Sequence, residues 1–551
     1  MKRIIYILTA GSLFFSSCKK DFLDRYPLDA ISDENYWETS EQLKLAANGT
    51  YGYLKAKTNV DFENLGDNTI WPTTTDFQRI STGNYGSDLG SVNAEWTNAY
   101  DGIRRCNHFL ENYNRGTEVP VAEKERYAGE VRFIRAYLYY LLTSFYGDVP
   151  LLTKTLTPQD EELYGKRQPR AEVVDFMLRE LDSSAAKLPN SYGAADYGRI
   201  TKGAAIAFKS RVALQHNKFD IAEAAAKAVI DMNIYSLYSN GNKATSYYEL
   251  FTYKGEQSKN GTNKETILAR VHVPEVSMHN LSREIQVPDQ EIRWNPTKSL
   301  VDAYLCKDGL PIGKSPLYSE ATYADIFKNR DPRMVQTVLA PGSAWKGLDD
   351  GDADNTPNDI YNWPKFTSDK KGAVTVTGYY FTKYCELSTV GVVSKDENDI
   401  ILIRFAEMLL TWAEARFEQG KLTQADINNS INKIRDRVGM VPMVMTDLTA
   451  NGLNLRDEIR RERRIELALE GQRWFDLMRW KQGSLLAQDV KGMKKSLARV
   501  PSEISSRPAD ANGFLIFNTN RTFVEPKHYL WPVPLVQYQR NENLLPQNPG
   551  W

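Results

Sequence analysis

Between residues 123 and 146 the chain places Tyr127, Val131, Ile134, Leu138 and Leu141 at steps of three and four. Only an α-helix gathers that spacing onto one face, and the face must then be buried against other elements. The stripe stops at Gly147 with Pro150 close behind, as a helix end requires. One long amphipathic helix therefore fixes the character of the core. Residues 171–188, 202–215 and 219–232 read the same way, the last two alanine-rich and joined by a few residues. Small faces and a short connection predict close antiparallel neighbours.

Helical patterning returns over residues 400–419, 424–438 and 455–480. The expected fold class is mainly α: a tetratricopeptide-like scaffold of helix pairs with long irregular loops and minor short strands, such as 373–377. From 235 to 395 the apolar periodicity fades and Gly, Asn, Asp and Pro become frequent. Within 340–378 the aromatics Trp345, Tyr361 and Trp363 argue for an ordered, functional loop. At 551 residues the chain exceeds one small core. The expected organisation is a helical N-terminal region (36–234), a loop-rich ligand-binding part (235–395) and a helical C-terminal region (396–551).

The first 35 residues read differently. Lys2 and Arg3 precede a mostly apolar run, 4–15, which as a helix rises about 18 Å, too short for a bilayer core of about 30 Å. It reads as a signal peptide, residues 1–17. Phe15-Ser16-Ser17-Cys18 is the pattern of a bacterial lipoprotein signal, in which Cys18 is lipidated and residues 18–35 tether the fold. Two acyl chains at about 0.8 kcal/mol per buried methylene hold a domain on a membrane. Cleavage would leave 67 Lys and Arg against 70 Asp and Glu, so electrostatic attraction to anionic lipid is not the expected anchor. The near-balance of the whole chain, 69 against 70, also lacks the clustered excess cation that nucleic acid demands. Cys106, Cys306 and Cys385 form no CxxC pair and are expected as buried small hydrophobes.

A catalytic constellation is not apparent. There is no HExxH, no GxSxG, and Gly309 to Ser315 has one residue too few between its glycines for a phosphate loop. Asp350, Asp352 and Asp354 alternate like the opening of a calcium loop, but Asn355 and Tyr361 stand where Gly and Glu belong. They are weak calcium candidates beside the plainer reading of a solvated acidic loop, and no cofactor is otherwise expected. The dense charges of 456–473 read as a salt-bridged helix surface, with Asp457 and Arg461 as one pair. Aromatic residues stand out instead: 11 Trp, 30 Tyr and 21 Phe. Trp71, Trp294, Trp345 and Trp363 lie in irregular segments, where an exposed indole can stack on a sugar ring while amides, Arg and Asp meet its hydroxyls. With Asp76 and Arg79 they make the candidate ligand site. The alternative is that each loop tryptophan anchors its own loop.

Several segments together resemble the SusD/RagB family of lipoproteins from Bacteroidota. They begin with Asp21-Phe22-Leu23-Asp24 and Pro27, then Glu130 to Tyr137 and Tyr146-Gly147-Asp148-Val149-Pro150-Leu151. Gly198-Arg199 with Thr201 and Gly203 to Ala205, Asn329 to Arg333, and Ile403 to Glu407 follow. Residues 459–470 with Gly471 to Asp476, then Leu530 to Pro534 with Gln547 to Gly550, complete the set. The resemblance implies a helical tetratricopeptide-like lipoprotein at the cell-surface side of the outer membrane. It also implies a partner, a SusC-like TonB-dependent barrel that receives a captured oligo- or polysaccharide. Peptide uptake on the same architecture is the alternative, and a glycoside hydrolase is a more distant one. Such a protein is not an enzyme, and its ligand contacts come from variable loops, including that near Trp71 to Arg79.

Overall fold

A computed structural model describes residues 36–256, 261–286, 293–345, 360–367, 374–390, 392–517 and 519–551. Residues 1–17, the tether with Cys18, and Asp350, Asp352 and Asp354 lie outside the described residues.

The principal helices are α1 (Ser40–Tyr51), α2 (Asp76–Ser81), α3 (Gly90–Asn112), α4 (Val121–Tyr146), α5 (Arg170–Lys187), α6 (Lys202–Gln215) and α7 (Phe219–Asp231). In the C-terminal half they are α8 (Phe405–Glu418), α9 (Ile431–Val438), α10 (Leu455–Glu466), α11 (Arg473–Arg479) and α12 (Leu535–Arg540). Helix α4 is the axis: it packs on α1, α3 and α5, and Tyr127, Val131, Ile134, Leu138 and Leu141 are all buried, as their spacing predicts. It ends at Gly147, whose φ of 78° and close approach to Leu530 exclude a side chain. Helix α6, capped by Thr201 accepting the Ala204 N–H, lies between α5 and α7, and α7 packs on α8. Buried alanines at 204, 205, 207 and 213 on α6 and at 222 and 226 on α7 allow the close contact expected. The mainly α, helix-pair architecture is as the sequence predicts.

Strands are short and paired in twos, all antiparallel: β1 (Thr69–Ile70) with β3 (Asn295–Pro296), β2 (Thr266–Arg270) with β4 (Ile400–Arg404), and β5 (Val490–Lys494) with β6 (Phe514–Phe517). Two hydrophobic clusters result. One is the helical core; the other is rich in tyrosine and is built mainly from residues of the loop-rich segment, with pieces from 438 to 515.

The structure corrects the sequence reading in several places. Residues 400–404 are strand β4, because Ile400, Ile401 and Ile403 are β-branched and pair with β2. Residues 424–438 break at Ser430, and 455–480 break between α10 and α11. At that second break Leu469 and Gly471 take φ values of 65° and 71°, and the Glu63 carboxylate accepts both of their N–H groups at 3.1 and 3.0 Å. Val374 makes only an isolated bridge to Lys365 where a strand is expected. Cys106, Cys306 and Cys385 are free and buried.

The charged segment 456–473 is not a solvated surface. Arg461 pairs with Glu458 at 3.1 Å rather than with Asp457. The segment contributes Glu462, Glu466 and Glu470 to a buried network of five cations, Arg333, Lys383, Arg404, Arg435 and Arg437, and five carboxylates, the other two being Glu265 and Asp331. Its ion pairs span 2.6–3.2 Å. A charge out of water is tolerated only when paired and hydrogen-bonded, and here the signs balance. The network joins β4, α9 and α10 to the helix Pro332–Thr337 and to residue 383. Burial alone would raise the Glu466 carboxyl. The guanidiniums of Arg437, Arg404 and Arg333 overcome that and hold it well below the usual carboxylate range.

Candidate functional site

The register of β1 and β3 sets Thr69 opposite Pro296 and Ile70 opposite Asn295, so the next pair outward is Trp71 and Trp294. Their rings lie 5.4 Å apart at 39°. Two residues distant by more than 220 positions are thus brought together by a strand pair of two residues each. Trp294 is fully buried (0%), while Trp71 is half-buried and forms the outer member.

Charge collects around this pair. The Lys57 ammonium lies 5.2 Å from the Trp294 ring and the Arg293 guanidinium 5.3 Å from the Trp71 ring, both in cation–π range. Glu284 binds both cations, Lys57 at 2.8 Å and Arg293 through a short ion pair. Asp61, behind them, lies 3.8 Å from Lys57. Burial pushes its carboxyl up to about 6, with Lys57 drawing it down and Glu284 raising it further. The indole face, the guanidinium and the carboxylate together offer stacking and hydrogen bonding side by side.

Helix α2 adds Asp76 and Arg79. Thr75 caps it by accepting the Gln78 N–H at 3.2 Å, and Asp76 then accepts the Ser91 N–H at 3.0 Å in the first turn of α3. A carboxylate there suits the positive end of a helix dipole. Asp76 therefore joins two helices, whatever else it contacts. Arg79 sits on the last turn of α2, exposed, with no ion-pair partner among the described residues.

The remaining two tryptophans divide. Trp345 is closed off at 1% exposure, edge-on to Tyr361 at 5.1 Å and tilted against Tyr380 at 4.9 Å. Trp363 is 39% exposed with the Arg499 guanidinium 5.9 Å from its ring. Asn295 accepts the Thr375 hydroxyl and the Val376 N–H, and Val374 bridges Lys365, which ties the Trp363 loop to β3, next to Trp294. Of the six residues expected to meet ligand, Trp71, Arg79 and Trp363 present surface. Trp294, covered by Trp71 and Lys57, and Trp345, covered by Tyr361 and Tyr380, are buried supports and do not offer an open face. The sequence reading missed Lys57, Glu284 and Arg293. Of these only Arg293, next to Trp294, carried a local signal.

Among the described residues no group of three or more His, Cys, Asp or Glu could hold a metal ion, and no helix is long and apolar enough to cross a membrane.

Comparison with known proteins gives a consistent set of matches. Residues 291–551 match a family model described as the SusD family, and residues 21–214 match one described as starch-binding, associating with the outer membrane. The chain is similar to SusD-like protein P38 of Formosa agariphila, 24% identical over 524 residues, covering 89% of this chain and 93% of that protein. It is also similar to the starch-binding protein SusD of Bacteroides thetaiotaomicron, 25% identical over 445 residues and 70% of each chain. A solved SusD-like carbohydrate-binding protein from Bacteroides fragilis superposes with a TM-score of 0.78 at 26% identity, covering 92% of this chain and 99% of that one.

Proposed function

We infer that this chain, which belongs to the SusD/RagB family, binds an oligo- or polysaccharide at the outer membrane and passes it to a TonB-dependent barrel of the SusC type. Lipid on Cys18 would hold it on the cell-surface side, with residues 18–35 as the tether. Capture by stacking and hydrogen bonding breaks no bond and requires no cofactor, so we assign neither an enzymatic activity nor a metal.

The observation that carries this reading is the Trp71–Trp294 pair with Arg293 against its outer ring. A sugar ring presents an apolar C–H face and a rim of hydroxyls. Trp71 supplies a rigid apolar platform whose rotamer is fixed by the buried indole behind it. Arg293 and the Glu284 carboxylate paired with it supply a donor and an acceptor beside it. Each net hydrogen bond is worth only about 0.5–1.5 kcal/mol, so the stacked area decides affinity. Trp363, exposed on a separate loop with Arg499 near its ring, is a second candidate stacking face. The relatives' names support the substrate class, since they describe starch-binding and carbohydrate-binding proteins.

The test is a binding screen of the purified protein against plant, host and microbial glycans, with mixed peptides alongside. A glycan that binds and is lost on Trp71→Ala supports the reading. Binding to peptides alone would overturn the carbohydrate assignment.

A further inference from the structure

A cavity lies away from the tryptophan pair, between the outer face of α3, the segment 150–164 and the C-terminal α12 with the residues after it; its volume is about 610 Å³. That is ample for a small molecule of 300 to 1,000 Å³ class. It shares no lining residue with Trp71, Trp294 or the charges around them.

The walls are tied before any ligand arrives. From α3, Tyr100 donates to the Pro150 carbonyl at 2.8 Å, Asn107 to those of Leu152 and Lys154, and Arg104 to that of Leu156. From the far wall, Gln537 donates to Asn93 at 2.9 Å and Asn541 to the Gly165 carbonyl at 3.0 Å. The floor and rim are apolar and aromatic: Trp96, Tyr100, Leu152, Leu163 and Tyr164, with Leu163 and Tyr164 open to solvent.

The charges are not balanced. Lys154 is paired with Glu162 at 2.8 Å, and Asp101 takes the Tyr53 hydroxyl and lies 3.7 Å from Arg105. Arg104 donates to the neutral Leu156 carbonyl, and neither it nor Arg540 has an ion-pair partner among the described residues. Two unneutralised guanidiniums at an apolar, pre-formed cleft select one kind of ligand. We propose that this groove is a second binding site, for a small amphipathic anion whose apolar or aromatic body lies along Trp96, Tyr100 and Leu152 while its acid group meets Arg104 and Arg540.

The proposal is tested on purified, detergent-free protein with 8-anilinonaphthalene-1-sulfonate as the fluorescent probe, and with decanoate and decanol as competitors. Decanoate displaces the probe from a single saturable site, and decanol does so at least about tenfold more weakly, as loss of a charge-assisted contact implies. Arg540→Gln, at an exposed side chain, weakens decanoate by a few-fold to about tenfold and leaves decanol unchanged. Thr97→Trp, at an exposed position on the groove wall, gives up the Gln537 hydrogen bond at 3.3 Å, fills the space and removes both ligands while lowering Tm by no more than about 1 °C. No saturable decanoate binding, equal displacement by decanol, or binding that survives Thr97→Trp would each overturn the site. Because the groove and the Trp71 platform have no residue in common, either can fail while the other stands.

Discussion

Glu466→Gln keeps the shape of a fully buried side chain and removes one charge. In the native protein its carboxylate meets Arg333 at 3.0 Å, Arg404 at 2.7 Å and Arg437 at 2.7 Å. In the variant five cations of the network face four carboxylates, in a site buried from solvent. Removing one partner from a buried ion pair costs about 3–5 kcal/mol, because the charge left behind is desolvated and uncompensated. An unfolding entropy of about 2.1 cal/mol/K per residue amounts to roughly 1 kcal/mol per degree for a chain of this length, so Tm falls by about 3–5 °C. The pH dependence supplies an independent sign. In the unfolded chain Glu466 takes up its proton near the ordinary value of 4.5, while in the fold it resists protonation until well below that. The unfolded state therefore binds more protons on acidification, and the stability this group contributes is present above pH 4.5 and lost as pH falls below it. Calorimetric scans of both proteins from pH 7 to pH 3 check the account. A Tm difference under about 1 °C at pH 7, or an unchanged gap between the two proteins at pH 3, would refute it.

Asp61 gives the opposite sign: with its carboxyl raised to about 6 from 3.8, the fold binds the extra proton, so its contribution falls as pH rises through that window. Asp61→Asn removes this loss and gains up to about 2–3 kcal/mol at pH 7, read as a smaller Tm drop between pH 4 and 7 than in the parent protein. Gly471→Ala places a methyl group 2.0 Å from the Asn59 carbonyl oxygen at a φ of 71°, and Tm or soluble yield drops by the equivalent of at least about 3 kcal/mol. Cys18→Ser abolishes incorporation of labelled palmitate and moves the protein from the membrane to the soluble fraction; unchanged partitioning would rule out a lipid at that residue.

The helical scaffold was largely written in the sequence because burial of one face imposes a period, as along α4. Helix α3 escaped notice although its buried residues Val92, Trp96, Ala99, Ile103 and Cys106 follow the same steps. Gly90, Gly102 and four asparagines dilute the pattern with poor helix formers, and packing against α4 overrides them. Residues 400–419 show the converse, where an apolar run reads equally as helix or buried strand until its partner is known. The ionic core was hidden for a related reason. Residues 456–473 have the composition of a solvated surface, and only the positions of Arg333, Lys383 and Arg404, far away in sequence, turn it inward. At the candidate site the residue types were legible and the exposure was not. Nothing local to Trp294 or Trp345 says that another loop will close over it, and Lys57 reaches both Trp294 and Glu284 through contacts of long sequence range.

The central claim is that the half-buried Trp71 is a glycan platform while the buried tryptophans are structural. Calorimetric titration of a glycan identified by screening, into the parent protein, Trp71→Ala and Trp345→Ala, measures that division directly. The account predicts that Trp71→Ala weakens binding at least about tenfold, the loss expected for a stacked aromatic face, while lowering Tm less than Trp345→Ala does. Trp345→Ala should lower Tm, as a fully buried indole costs about 3–5 kcal/mol to truncate. Intact glycan affinity in Trp71→Ala, or a fall in Tm that accounts for its lost binding, would contradict the account.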